Sequence, residues 1–250
     1  MAAGIHNDVK FFFINGIMNE DKHGHATTEV IRGIIQKASD SEIDKDIVEF
    51  QFNNSAPTEK IATEIGLAVC GAFATGYAIE REVEKKADAI SRTAGLLGLA
   101  AIIVAGYDYS EMQKQKNEVA NTFKGRVIEF LKSNTSNVVN LVFHSQGADV
   151  GYRALESLEG YRNRIRVVTL GAMTTIPSSM ASRVTNYKFA NDWISKIGGF
   201  PFEKIRQSTD EQGDRPVVYL NSQGIVNHSV HEYLKEGIVQ QELLSLLENK

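Results

Sequence analysis

Val138-Val139-Asn140-Leu141-Val142-Phe143-His144-Ser145-Gln146-Gly147-Ala148-Asp149 decides how the chain is read. It begins as a continuous β-branched and apolar run, the mark of a strand buried on both faces. It ends as the start of a helix, Gly147 to about Leu158. Between them lies His-Ser-Gln-Gly, the last four positions of a G-x-S-x-G pattern. A strand that turns sharply into a helix lifts one serine hydroxyl above the sheet edge. The helix N-terminus then lies beneath it, with unsatisfied N–H groups and the positive end of the dipole. A small residue at Gly147 lets helix and strand approach closely. That geometry suits a serine that attacks a carbonyl and must stabilise an oxyanion. Phe143 stands where the first glycine of the pattern falls, so a large side chain must fit beneath the turn.

The chain has 250 residues, enough for one large domain or one domain with an insertion. Its net charge of -4 gives no basic footprint for nucleic acid. The single cysteine, Cys70, rules out an internal disulfide and fits a reducing compartment; in its apolar stretch it reads as a small packed side chain. Met1 to Lys10 lacks the apolar core of a secretory signal. The expected location is therefore cytoplasmic, with membrane association and signal-independent export left open.

Val9 to Ile14 reads as a buried strand running into the turn Asn15-Gly16-Ile17-Met18-Asn19. A polar loop, Glu20 to Ala26, follows. Thr27 or Thr28 is expected to cap a helix with Val30, Ile31, Ile34 and Ile35 at helical spacing. Asp46 to Phe52 reads as a second strand, joined to the first by a right-handed parallel crossover. Pro57 to Ser133 reads as an insertion. Two apolar runs rich in Ala and Gly, 65–79 and 94–107, flank the charged Glu80–Lys86. Each run is near 15 residues, short of the roughly 20 that span a bilayer. Two readings stay open: a helical cap over an active site, or a hairpin that seeks a membrane interface. Residues 109–132 read as an amphipathic helix with Val119, Phe123, Val127, Ile128 and Leu131 on one side. Further strands are expected at Arg164–Leu170, Thr185–Ala190 and Pro216–Leu220, and a C-terminal helix runs to about Leu247. The expected domains are a core of 1–56 and 134–250, with 57–133 inserted.

Strands alternating with helices predict an open parallel α/β sheet, whose sites gather beyond the carboxyl ends of the strands. The Asn15-Gly16-Ile17 turn, Ser145, Asp192, and His228 or His231 all fall there. Ser145 would be the nucleophile, a histidine its general base, and Asp192 the acid that orients the imidazole. Backbone N–H groups of Gln146 and Ile17, together with Gly16, would bind the oxyanion. His231 lies further into the presumed helix and reads as a surface histidine, which favours His228. Asp210 and Asp214 are fallback acids in a loop that reads as solvated. His144 reads as packing, pointing away from the nucleophile, and Trp193 likewise as packing. His23 and His25 lack a third ligand nearby, so no metal is expected, nor any other cofactor.

Taken together, Phe-Ile-Asn-Gly-Ile-Met-Asn (13–19), Phe-His-Ser-Gln-Gly (143–147), Asn-Asp-Trp-Ile (191–194) and Asn-His-Ser-Val-His-Glu-Tyr-Leu (227–234) resemble the α/β-hydrolase superfamily, on its lipase/esterase side. The resemblance covers the chain outside the insertion. It implies a mostly parallel sheet flanked by helices, with the insertion as cap or lid. It also implies ester hydrolysis through an acyl-serine, with His228 at the catalytic position and no metal. The apolar insertion turns the expectation toward a lipase or phospholipase. The expected partner is a small-molecule or lipid ester, with peripheral membrane contact and no nucleic acid; nothing indicates an oligomeric state. Two other readings stay open. One is a membrane-docking protein on a catalytically silent hydrolase fold. The other is a soluble esterase or thioesterase with a packed cap.

Overall fold

The computed structural model describes residues 8–16, 21–37, 44–51, 113–190, 192, 195, 217–221 and 228–247, the side chains of 21–23 and 45 excepted. Ile17, Trp193, Asp210, Asp214, Cys70 and the insertion up to residue 112 lie outside them. The chain divides into two units, Met1–Asn54 with Lys116–Lys250, and Ser55–Gln115.

The first unit holds six strands: β1 (Val9–Ile14), β2 (Val48–Gln51), β3 (Val138–His144), β4 (Ile165–Leu170), β5 (Arg183–Phe189) and β6 (Val217–Leu220). They form one sheet in the order β2-β1-β3-β4-β5-β6, and every pairing is parallel. Helices α1 (Asp21–Lys37), α2 (113–133), α3 (Gly147–Glu156), α4 (Val230–Lys235) and α5 (Gly237–Ser245) flank it. The protein is thus an α/β fold.

Both faces of the central strands are covered, which explains their unbroken apolar sequence. Phe12, Ile14, Leu141 and Phe143 face α2 and α3, where Phe123, Val127, Leu131, Val150 and Leu155 meet them. Phe11, Phe13, Val142 and Val168 face the other way, against Ile31 and Ile35 of α1 and against Leu234, Val239 and Leu243 of α4 and α5. Phe123 sits edge-on to Phe12 at 5.8 Å and to Phe143 at 6.0 Å. Such pairs add about 0.5–1.5 kcal/mol each beyond the area they bury. α2, read from sequence as the tail of the insertion, is therefore part of the layer that covers the sheet.

Two helix boundaries depart from expectation. α1 begins at Asp21, not at a Thr27 or Thr28 cap, and Thr28 Oγ1 donates back to the His25 carbonyl at 2.7 Å inside the helix. The cause is tertiary. Gly24 packs directly against the Phe50 ring of β2, and the His25 ring meets Phe50 at 5.1 Å. The contact extends the helix through a stretch that local preference would leave as loop. The C-terminal helix is divided at Glu236, which is extended (φ -69, ψ 123). The break lets α5 lie along the sheet, where the Leu246 carbonyl accepts from Asn140 Nδ2 and Arg166 Nη1, both at 3.0 Å. Among the described residues, no helix is long and apolar enough to cross a membrane.

Candidate active site

β1 and β3 are neighbours, but the chain leaves β1 for β2 on one side and β3 for β4 on the other. A crevice opens at the carboxyl ends of two such strands. Ser145 stands there, one residue past β3, with φ +53. A non-glycine residue in this left-handed region costs roughly 1–2 kcal/mol. Backbone hydrogen bonds hold it in place. Ser145 N–H donates to the Leu170 carbonyl at 3.2 Å, and the Ser145 carbonyl accepts from Ala148 and Met173 N–H at 3.2 Å each. α3 starts two residues on.

Two glycines allow the turn to close. A Cβ at Gly147 would sit 2.5 Å from the Asn15 carbonyl oxygen and 2.6 Å from that of Ile14. A Cβ at Gly16 would sit 2.7 Å from Ser145 Cβ and 3.1 Å from its Oγ. Gly16 thus lies directly against the serine, and Asn15 Nδ2 fixes the Gly16 carbonyl with a 2.8 Å hydrogen bond. Of the three positions expected to bind an oxyanion, Gly16 lies against Ser145 and Gln146 follows it in the chain, while Ile17 lies outside the described residues. Phe143 is accommodated from the helix side. Its ring covers Gly151, one turn beyond Gly147, where a Cβ would overlap it.

Asp192 and His228 reach Ser145 from later strand ends. Asp192 follows β5, its N–H donating to the Phe189 carbonyl at 3.1 Å. Its carboxylate is 1% exposed. Ser195 N–H donates to Oδ1 at 3.2 Å. His228 lies just ahead of α4, which Ser229 caps through the His231 N–H. His228 Nδ1 is 2.7 Å from Asp192 Oδ2, and its Nε2 is 2.8 Å from Ser145 Oγ. With Asp192 ionised, the network assigns the proton to Nδ1, leaving Nε2 to accept from the serine hydroxyl. Burial pushes the Asp192 carboxyl up, but hydrogen bonds from His228 and Tyr233 outweigh it and hold the group below its ordinary value. The structure therefore brings Ser145, Asp192 and His228 into one hydrogen-bonded chain. His231 stands outside that chain in the first turn of α4.

Two further residues reach the site: His144, which the sequence reads as packing turned away from the nucleophile, and Tyr233, to which the sequence assigns no role. His144 does not point away: its ring lies 5.1 Å from that of His228, tilted by 33°. Burial, and after it the charge of His228, lower its pKa to about 3, so it is a neutral imidazole. Tyr233 places its hydroxyl 2.6 Å from Asp192 Oδ2. Nothing in its spacing from His228 marks that role; the available signal is a phenol on the apolar face of a short helix. The described residues contain no cluster of His, Cys, Asp and Glu that could hold a metal ion. No protein-family model matches the chain, and no curated protein sequence matches it.

Proposed function

We propose that the chain is a serine hydrolase of the α/β-hydrolase type, cleaving carboxylic esters through an acyl-serine intermediate. The observation that carries this reading is the continuous chain from Asp192 through His228 to a serine held at φ +53. Ser145 Oγ attacks the ester carbonyl while His228 Nε2 takes its proton. Backbone N–H groups of Gln146 and of the 15–17 turn receive the oxyanion, and one such donor is worth about 3–4 kcal/mol in the transition state. His228 then protonates the leaving alcohol oxygen, and the C–O bond breaks to leave an acyl-serine. Water, losing its proton to the same nitrogen, releases the acid and restores Ser145. Asp192 stays ionised throughout and steadies the imidazolium, as such an acid does in serine hydrolases generally.

Lipid acyl esters are the substrate class that the composition of the insertion supports. The apolar runs 65–79 and 94–107 suit a lid that covers an acyl chain and makes peripheral contact with a lipid surface. The test is hydrolysis of p-nitrophenyl esters of graded chain length and of phospholipid vesicles, with labelling by an organophosphonate that traps activated serines. Wild type is expected to turn over esters, with a long-chain optimum, and to take one phosphonate; Ser145→Ala should do neither. No turnover and no labelling, with vesicle binding that survives Ser145→Ala, would replace this reading with a membrane-docking protein.

A further inference from the structure

We propose that Tyr233 is a positioning residue of this site, a clamp that fixes the Asp192 carboxylate and, through it, the His228 ring. The inference rests on the catalytic reading above and adds a residue to it. The Tyr233 hydroxyl donates to Asp192 Oδ2 at 2.6 Å, the same oxygen that faces His228 Nδ1 at 2.7 Å. The phenol oxygen in turn accepts from the Phe189 N–H at 3.2 Å. With the Phe189 N–H on its oxygen, the phenol directs its own proton to the nearest acceptor, Asp192 Oδ2.

The phenol is itself held fast. Tyr233 is fully buried, and its ring lies 4.5 Å from that of Phe189. It also fills the space beside Gly171, where a Cβ would fall 2.8 Å from the hydroxyl. Burial and the bond to Asp192 raise its pKa, so the hydroxyl keeps its proton. With Ser195 N–H on Oδ1, the carboxylate meets donors at both oxygens, and rotation about its side chain would break at least two of these bonds. Tyr233 and His228 are also carried by the same helix and its cap. A shift of α4 would thus move the imidazole and the clamp together, keeping His228 in register with Asp192.

Buried tyrosines commonly find some hydrogen-bond partner. The choice of partner is what separates this one. A phenol that only needed satisfying could use a backbone carbonyl; this one shares the oxygen on which the imidazole depends. Two consequences follow. The phenol limits the motion of Asp192, and it draws off part of the negative charge that Oδ2 would otherwise offer to His228.

Tyr233→Phe tests both, because it keeps the ring and removes only the hydroxyl. We expect kcat for a p-nitrophenyl ester to fall about tenfold, the scale of one charge-assisted hydrogen bond, with KM within about twofold. The acid limb of the kcat/KM profile should move up by about half a pH unit, since a carboxylate with one donor fewer favours the charged imidazole. The low-field proton resonance of His228 Nδ1–H should shift as well. Among the described residues the titratable groups beside the pair are His144 of β3 and His231 of α4, so the profiles are compared in a His231→Gln background. Wild-type kcat, limb and resonance in Tyr233→Phe would overturn the proposal. So would a loss of kcat matched by loss of phosphonate-titratable sites with the limb unmoved, which is a folding effect. Should wild type hydrolyse no ester, the catalytic reading fails by itself. The resonance then decides: an unchanged signal refutes the clamp, and a displaced one supports it.

Discussion

Phe143 occupies a position where the turn pattern asks for glycine, and the structure ties its tolerance to Gly151. A double-mutant cycle on this pair tests that explanation. Phe143 is fully buried, edge-on to Phe123, with its ring over the Gly151 backbone. Phe143→Ala should cost about 3–5 kcal/mol, the range for truncating a core phenylalanine. Gly151→Ala alone sets a methyl group into the ring. Overpacking of this kind costs about 1–3 kcal/mol. Against that, alanine regains about 1 kcal/mol of helix propensity. The net effect is a loss of up to about 2 kcal/mol. In the Phe143→Ala background the ring is gone, so the methyl fills part of the cavity and the propensity gain remains. Gly151→Ala should then stabilise by about 1 kcal/mol, reversing its sign and giving a coupling of about 1–3 kcal/mol, as residues in contact do. The assay is urea unfolding of all four proteins, compared at constant m. If Gly151→Ala has the same effect in both backgrounds, the ring and the glycine are not paired, and this account of the departure from glycine is wrong.

Two other outcomes follow from the same geometry. His144 has a folded pKa of about 3 against an ordinary value of 6.5, so below pH 6.5 the unfolded chain binds a proton that the native protein refuses. Stability must therefore fall as pH drops, by roughly 3 kcal/mol between pH 7 and pH 4, and urea midpoints of His144→Phe should lack that part of the slope; parallel curves would show that His144 is not held neutral. Gly16→Ala places a methyl carbon 2.7 Å from Ser145 Cβ. Overpacking there should lower stability by about 1–3 kcal/mol, and ester turnover and phosphonate labelling per folded protein should drop by about 100-fold or more; wild-type rates would mean that the 15–16 turn does not border the nucleophile.

What the sequence reveals depends on how local the cause is. β1 and β3 are legible because burial on both faces writes itself into the strand as an unbroken apolar run. Ser145, Asp192 and His228 are legible as candidates because each follows the end of a strand, the place where an open parallel sheet collects its site. The start of α1 is not legible, because it depends on Phe50, which joins the helix only once β2 has paired with β1. Gly151 reads as an ordinary helix glycine until the Phe143 ring is laid over it. His144 and Tyr233 are hidden for a similar reason. Alternation puts His144 on the same face of β3 as Val142 but does not say that His228 will lie beside it, and no short motif places a phenol on an acid that lies 41 residues earlier.

Ser145 itself carries a further argument. Its backbone bonds to Leu170, Ala148 and Met173 use only main-chain atoms, and glycine could make all of them. Glycine would also adopt φ +53 without the roughly 1–2 kcal/mol that an L-residue spends there. As far as the turn is concerned, the serine side chain is a net cost. Packing does not recover it, because a hydroxymethyl group buries little apolar area, and Gly16 has had to give up its own side chain to make room. What the hydroxyl does have, among the described residues, is His228 Nε2 at 2.8 Å, backed by a buried carboxylate. Burying that carboxylate is a second cost, and the fold meets it by supplying donors rather than by removing the charge. A strained serine and a buried acid, each unfavourable to folding and joined by an imidazole, are hard to explain as scaffold. They are what nucleophilic catalysis requires, a hydroxyl exposed at a sharp turn and a base held in one tautomer, and this coincidence of costs is the strongest physical support for the hydrolase reading.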